Sequence, residues 1–256
     1  MLTDVHYWQD QHAKHPRPGD AFLREGFLFD PVLSRFLPCS QSLTAIELGC
    51  YPGSFLAYLH KRFGYRVYGL DFVPQLERVR GWLGAVGVPV QDLILGDLRT
   101  VEFDRTFDVV MSIGLLEHFD DPEEIVDLHC DIVAPGGYVV IAMPNFRGGQ
   151  YWLHYWFDRD NLLAHNLQAM DLRMLKERIK KHDFEILHAN YFRTFDFWTA
   201  GHLPPGWRWF GRFKRLLELT RLDNIPNSLF SPYLIVIARN DTHDQSPTSQ
   251  PASASN

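Results

Sequence analysis

An acid ahead of a glycine-rich turn, Glu47-Leu48-Gly49-Cys50-Tyr51-Pro52-Gly53, lets backbone approach a ligand closely. A helix starting just after it would offer free N–H groups to that ligand. Further along, Asp71 is a carboxylate able to accept hydrogen bonds from both hydroxyls of a ribose. Asp97, followed by Leu98, can accept from an exocyclic amine. His118 closes the run Ile113-Gly114-Leu115-Leu116-Glu117-His118, and an imidazole with an ordinary pKa near about 6.5 suits removal of a proton from a hydroxyl. Each piece alone also fits a plainer role. A glycine-rich turn can be only a tight turn, an Asp ending a strand often caps a helix, and His118 could simply orient the Asp120-Asp121 loop. Their order along the chain carries the meaning.

The elements that must position these residues are legible from residue 43 onward. Short apolar or β-branched runs at 43–48, 66–70, 92–96, 107–113 and 137–143 alternate with helical patterns at 54–63, 74–86 and 122–133. That alternation predicts a mostly parallel sheet covered by helices on both faces. Pro74 suits a first helical turn, where its missing N–H has no intrahelical partner. Asp121 suits a cap, and Pro135-Gly136-Gly137 a stop. A further amphipathic helix over 171–182 starts at an Asp and sets Leu172, Leu175 and Ile179 on one face. The runs at 184–192 and 231–239 read as strands pairing antiparallel at one edge, making a Rossmann-like seven-stranded α/β sheet. In such a sheet ligands bind beyond the carboxyl ends of the strands, which is where the glycine turn, Asp71 and Asp97 all fall.

Over about residues 43–143, with a weaker match near 231–239, the chain resembles the class I S-adenosylmethionine (SAM)-dependent methyltransferases. ELGCYPG corresponds to that family's first motif, LDF at 70–72 and GDL at 96–98 to the next two, and FDVVMSIGLLEHFDDP at 107–122 to the fourth. The resemblance implies SAM as cofactor, with Gly49 and Gly53 around the methionine part and Glu47, Cys50 and Tyr51 also in the cofactor-binding set. It also implies Asp71 on the ribose and Asp97 and Leu98 on the adenine, with Phe72 and Ile113 among the cofactor-binding residues. One departure is Tyr51, where the family's commonest loop has a third glycine. A nicotinamide-binding loop starting at Gly49 would need glycine at positions 51 and 54, where the chain has Tyr51 and Ser54.

Methyl transfer to a hydroxyl makes His118 the candidate catalytic base, with Glu117 structural. The segment 144–170 is too long for a plain connection and is expected to cover the acceptor. Tyr151, Trp152, Tyr155, Trp156 and Phe157 crowd into it beside Asn145, His154, His165 and Asn166, an aromatic and amide mixture suited to sugar rings. Asn145, Tyr151, His154, His165 and Asn166 are the expected acceptor contacts. Asp158 and Asp160 between the two histidines would permit a metal, but polar acceptor contacts are the reading adopted, with no metal. The run PNFRG followed by HNLQAM loosely resembles methyltransferases of bacterial glycan and glycolipid assembly.

Bulk properties bound the rest. A net charge of −6 lacks the basic excess of a nucleic-acid binder, and base-methylating motifs of the Asn/Asp-Pro-Pro-aromatic type are absent after strand four. No run approaches the roughly 18 apolar residues of a membrane span, so a cytoplasmic protein is expected. The three separated cysteines, Cys39, Cys50 and Cys130, indicate neither a disulfide framework nor a zinc knuckle. Residues 1–40 are expected to form a helical lid, 41–240 the methyltransferase domain and 241–256 a disordered tail. Within the domain, 207–221 joins four large aromatics to five Arg or Lys residues and one Glu. That stretch suits either an anionic membrane surface or a basic helix packed on the sheet edge. The leading expectation is O-methylation of a sugar, glycan or other small hydroxylated metabolite. N- or C-methylation and a SAM-binding but inactive partner protein are the alternatives.

Overall fold

A computed structural model describes residues 2–14, 27–196, 198–199 and 225–242. The elements are α1 (Val5–Lys14), α2 (Asp30–Phe36), β1 (Thr44–Leu48), α3 (Ser54–Phe63), β2 (Arg66–Asp71), α4 (Leu76–Ala85), β3 (Val90–Leu95) and β4 (Phe107–Ile113). They continue through a 3-10 turn (Leu116–His118), α5 (Pro122–Asp131), β5 (Val133–Pro144), α6 (Gly149–Phe157), α7 (Arg159–Leu163), α8 (Leu172–Lys180), β6 (Phe184–Phe192) and β7 (Tyr233–Asn240). The strands form one seven-stranded sheet in the order β3-β2-β1-β4-β5-β7-β6. β1 to β5 pair in parallel. β7 runs antiparallel between β5 and β6.

Period-two burial sorts the side chains onto two cores. Ile46, Leu48, Val110, Val139, Ile141, Leu234 and Val236 face one side, where Ile125 and Val126 of α5 and Leu175 and Ile179 of α8 cover them. Ala45, Val109, Met111, Val140, Ile235 and Ile237 face the other, beneath Leu33 of α2, Leu56 and Leu59 of α3 and Leu83 of α4. The expected helices on both faces are therefore present. Asp121 caps α5 by accepting from Glu123 N and Glu124 N, and Asp171 caps α8 in the same way through Arg173 N and Met174 N.

Two local expectations change. The helix anticipated from Pro74 begins at Leu76, because the preceding turn is set by Asp71, whose Oδ1 accepts from Val73 N at 3.1 Å. Pro135-Gly136-Gly137 is no stop between elements but a bulge inside β5. Its pairing with β4 jumps from Phe107↔Val133 to Val109↔Tyr138, and Gly136 takes a φ of +74°. Among the described residues, no helix is long and apolar enough to cross a membrane. The segment 203–222 lies outside the described residues, as do all but the first two residues of the expected tail.

Candidate active site

The carboxyl ends of β1, β2, β3 and β4 converge on a cleft of about 720 Å³, its open mouth included. Gly49, Tyr51, Asp71, Phe72, Asp97, Leu98 and Ile113 of the expected cofactor set line it, together with Leu70, Gly96, Gly114, Leu115, His118, Phe119 and Trp8. Gly49 holds a φ of +77°, and a Cβ there would lie 3.0 Å from Leu115 Cδ1. Glycine is thus required both by backbone conformation and by closeness to the cleft floor.

Asp71 is the organising acid. Its Oδ2 accepts from Tyr51 N at 2.9 Å and its Oδ1 from Val73 N, so the carboxylate pins the glycine turn of β1 to the end of β2 while still facing the cleft. Burial raises its pKa against the pull of these backbone N–H groups. Asp97 faces the same cleft but is clasped by Arg99, which reaches Oδ1 through Nε at 3.0 Å and Oδ2 through Nη2 at 2.5 Å. That pairing lowers the Asp97 pKa, and the Arg99 guanidinium lies over the Phe119 ring at 5.7 Å.

Glu47, Cys50 and Gly53 do not line the cleft. Glu47 is 1% exposed, and its pKa stands well above the usual carboxylate range, from burial first and from repulsion by Asp71 second. Cys50 belongs to the core beneath α3, with its Sγ side against Gly69. Gly53 caps α3 at φ +96°, and any side chain there would strike Val79. These three shape the turn from behind.

The fourth motif leaves β4 at Gly114 and turns through Leu116–His118. His118 is buried, and its Nδ1 lies 3.0 Å from the Ala164 carbonyl. A carbonyl only accepts, so Nδ1 carries the proton and Nε2 keeps its lone pair. Burial lowers the His118 pKa to about 3, helped by His165. Beside it Glu117 is fully buried, and neither carboxylate oxygen has a hydrogen-bond partner among the described residues. Burial pushes its pKa up to about 8. His165, whose Nδ1 lies 2.6 Å from Asn161 O, brings its ring centroid to 4.5 Å from that of His118. From the opposite side Trp8 of α1 meets the His118 ring edge-on at 4.7 Å, and Leu2 N donates to His118 O. Trp8 of the N-terminal helix thus lines one side of the cleft. Phe27, Phe29 and Leu33 instead belong to the core beneath α2 and α3.

The expected acceptor contacts are placed differently. Asn145 is fully buried. Its Nδ2 donates to Ser228 O and Ser231 O, and its Oδ1 accepts from Arg147 N. Asn166 donates to Phe119 O and Asp120 O and accepts from Gln168 N. His154 is enclosed by Gln150, Asp158 and Asn161. Tyr151 packs against Tyr155 and the first core. His165 meets the cleft-lining His118, and Asn166 holds the cleft-lining Phe119 through its carbonyl. The amides that read as sugar contacts are engaged in fixing backbone, a role that composition does not distinguish from ligand binding. What the sequence did not single out are Leu115 and Phe119, which follow directly from the geometry of the 114–119 turn.

Comparison with known proteins agrees with this architecture. Residues 22–189 match the family model of a methyltransferase domain. Over 111 residues the chain is 33% identical to the ubiquinone biosynthesis O-methyltransferase of Proteus mirabilis (strain HI4320), covering 42% of this chain and 44% of that protein. It is 26% identical over 107 residues to the norajmaline N-methyltransferase of Rauvolfia serpentina, covering 41% and 37%. The chain thus spans less than half the length of either relative. In fold it is similar to the partner of the Haloferax volcanii Trm112 methyltransferase activator, solved as their complex, with a TM-score of 0.63, 17% identity and coverage of 91% of this chain and 97% of that one. With the match spanning well over half of the chain and the seven-stranded sheet in place, the protein belongs to the methyltransferase-domain family of class I SAM-dependent methyltransferases.

Proposed function

We propose that this chain transfers a methyl group from SAM to a hydroxyl of a small acceptor, a sugar or another hydroxylated metabolite, with His118 as the catalytic residue. The observation that carries the reading is a single cleft running from Asp71 and Asp97 at one end to His118 at the other. The residues suit the cofactor. Gly49 lines the cleft with bare backbone, and a Cβ there would press on the cleft-lining Leu115. Asp71 keeps acceptor capacity for ribose hydroxyls beyond its two backbone bonds, and Leu98 and Phe119 offer apolar walls to a purine. SAM supplies, when bound, a methyl group on a positively charged sulfur, activated toward in-line displacement.

The contribution of the chain itself is alignment and control of the acceptor proton. The apolar floor of Ile113 and Leu115 and the ring of Trp8 limit water around the reacting atoms. Aligning nucleophile and methyl in this way is the largest service such a site provides. His118 stays neutral through the physiological range, with its Nε2 lone pair available.

Calorimetry with SAM and S-adenosylhomocysteine, followed by a labelled-methyl screen of hydroxylated metabolites and glycans, tests the reading. Binding of both ligands and label on oxygen are expected, whereas absence of binding overturns it. His118→Ala should lower turnover by about a hundredfold or more while leaving S-adenosylhomocysteine affinity within about twofold. Unchanged turnover would remove His118 from the chemistry.

A further inference from the structure

Glu117, His118 and His165 make an arrangement that methyl transfer alone does not call for. One ligating atom from each lies within 4.8 Å of the other two, yet the Glu117 oxygens have no hydrogen-bond partner among the described residues. Both histidines are oriented alike. Nδ1 of His118 faces the Ala164 carbonyl and Nδ1 of His165 the Asn161 carbonyl, which places the lone pair of each ring on Nε2. Backbone carbonyls holding the far nitrogen of an imidazole are the usual support of a metal-binding histidine. A buried carboxyl group left without a formed hydrogen bond is one that a cation can satisfy. Glu117 Oε1 lies 3.6 Å from where a Cβ on Gly114 would stand, and Gly114 and His118 both line the cleft.

We infer that Glu117, His118 and His165 bind one divalent transition-metal ion at the acceptor end of the cleft. An ion about 2.1 Å from each ligand requires the three donor atoms, whose separations reach up to 4.8 Å, to draw together by roughly an ångström through side-chain rotation. Two imidazoles and one carboxylate select zinc, iron(II), cobalt(II) or manganese(II) over magnesium or calcium, which prefer all-oxygen shells. Three protein ligands leave coordination positions for a ligand entering from the cleft. On the methyl-transfer reading, an ion held here would occupy the Nε2 lone pair of His118, making His118 a ligand instead of the proton acceptor. It would acidify an acceptor hydroxyl bound beside it, so that its proton passes to solvent water. The hydroxyl's oxygen pair would form the new O–C bond while the C–S bond breaks and its pair stays on sulfur. The metal site itself does not depend on that reading.

The test uses the full chain, stripped with chelator and titrated with cobalt(II) or copper(II) alone. One equivalent should bind, and the copper form should show magnetic couplings from the remote nitrogens of two imidazoles. Glu117→Gln and His165→Ala should each weaken the metal by at least about tenfold, with S-adenosylhomocysteine affinity serving as the check that each variant is folded. Binding well below one equivalent, couplings from fewer than two imidazoles, or affinity unmoved by both substitutions overturns the site. Metal binding without any label transfer would retain the site and reject the methyl-transfer reading. Label transfer that survives complete metal removal would deny the ion its role in the chemistry.

Discussion

The two ends of the cleft are built by different means. At the proposed donor end, cleft-lining groups sit on the carboxyl ends of β1, β2 and β3, and local backbone geometry fixes them: Gly49 by its positive φ, Asp71 by bonds to Tyr51 N and Val73 N. At the acceptor end the surface is assembled from three stretches far apart in sequence: Trp8, the 114–119 turn and His165. Within 144–170, Ala164 and Asn166 hold the 114–119 turn through hydrogen bonds to His118, Phe119 and Asp120. A site made by strand termini tolerates drift elsewhere in the chain. One assembled from loops depends on every buried bond that supports them.

The sharpest way to break this contrast is at Asp71. Asp71→Ala removes two charge-assisted backbone bonds and the ribose acceptor together, so S-adenosylhomocysteine affinity should fall by roughly a thousandfold. A calorimetric loss of less than about tenfold would mean that the turn holds itself and the donor end is not organised by this acid.

A smaller effect is expected beneath the floor shared by both ends. His129 is fully buried, with Nδ1 against Ile125 O and Nε2 against Ser112 Oγ of β4, and burial lowers its pKa to about 4. Between the unfolded value near about 6.5 and that folded value, the unfolded chain binds a proton that the native one refuses. Stability should therefore fall by about 3 kcal/mol as pH drops from 6.5 to 4. His129→Gln should flatten that part of the pH profile in urea titrations; an unaltered slope would assign the acid sensitivity to other groups.

At the acceptor end, Asn166→Ala should act on stability before it acts on binding. Loss of its bonds to Phe119 O, Asp120 O and Gln168 N predicts a decrease of about 2 kcal/mol in denaturant midpoint measurements, with the acceptor KM within about threefold. A large rise in KM at unchanged stability would restore Asn166 as a ligand contact and dissolve the contrast between the two ends.

The donor end and the sheet were legible because both follow short-range rules. Period-two burial marks the strands, and positive φ or a cap marks Gly49, Gly53, Asp121 and Asp171. Glu47, Cys50 and Gly53 sit in the right motif but behind the cleft, since a motif records what builds a turn as well as what touches a ligand. The acceptor end was less legible because Asn145, His154 and Asn166 have the same chemistry whether they bind backbone or sugar. The pairing of His165 with His118 and Glu117 likewise has no signature spacing. It arises only when α7 places the 164–166 stretch against the 3-10 turn.

The position of β7 between β5 and β6 also orders events during synthesis. When β6 leaves the ribosome it has no neighbour in the sheet, because the strand that joins it to β5 has not yet been made. At ordinary translation speed the interval up to Asn240 is roughly two to ten seconds. Throughout it, the apolar edge of β5 and the whole of β6 are available to chaperones and to the same strands of other nascent chains. The finished fold is thus vulnerable at a moment set by its topology, and slowing translation over the stretch between β6 and β7 would lengthen that exposure.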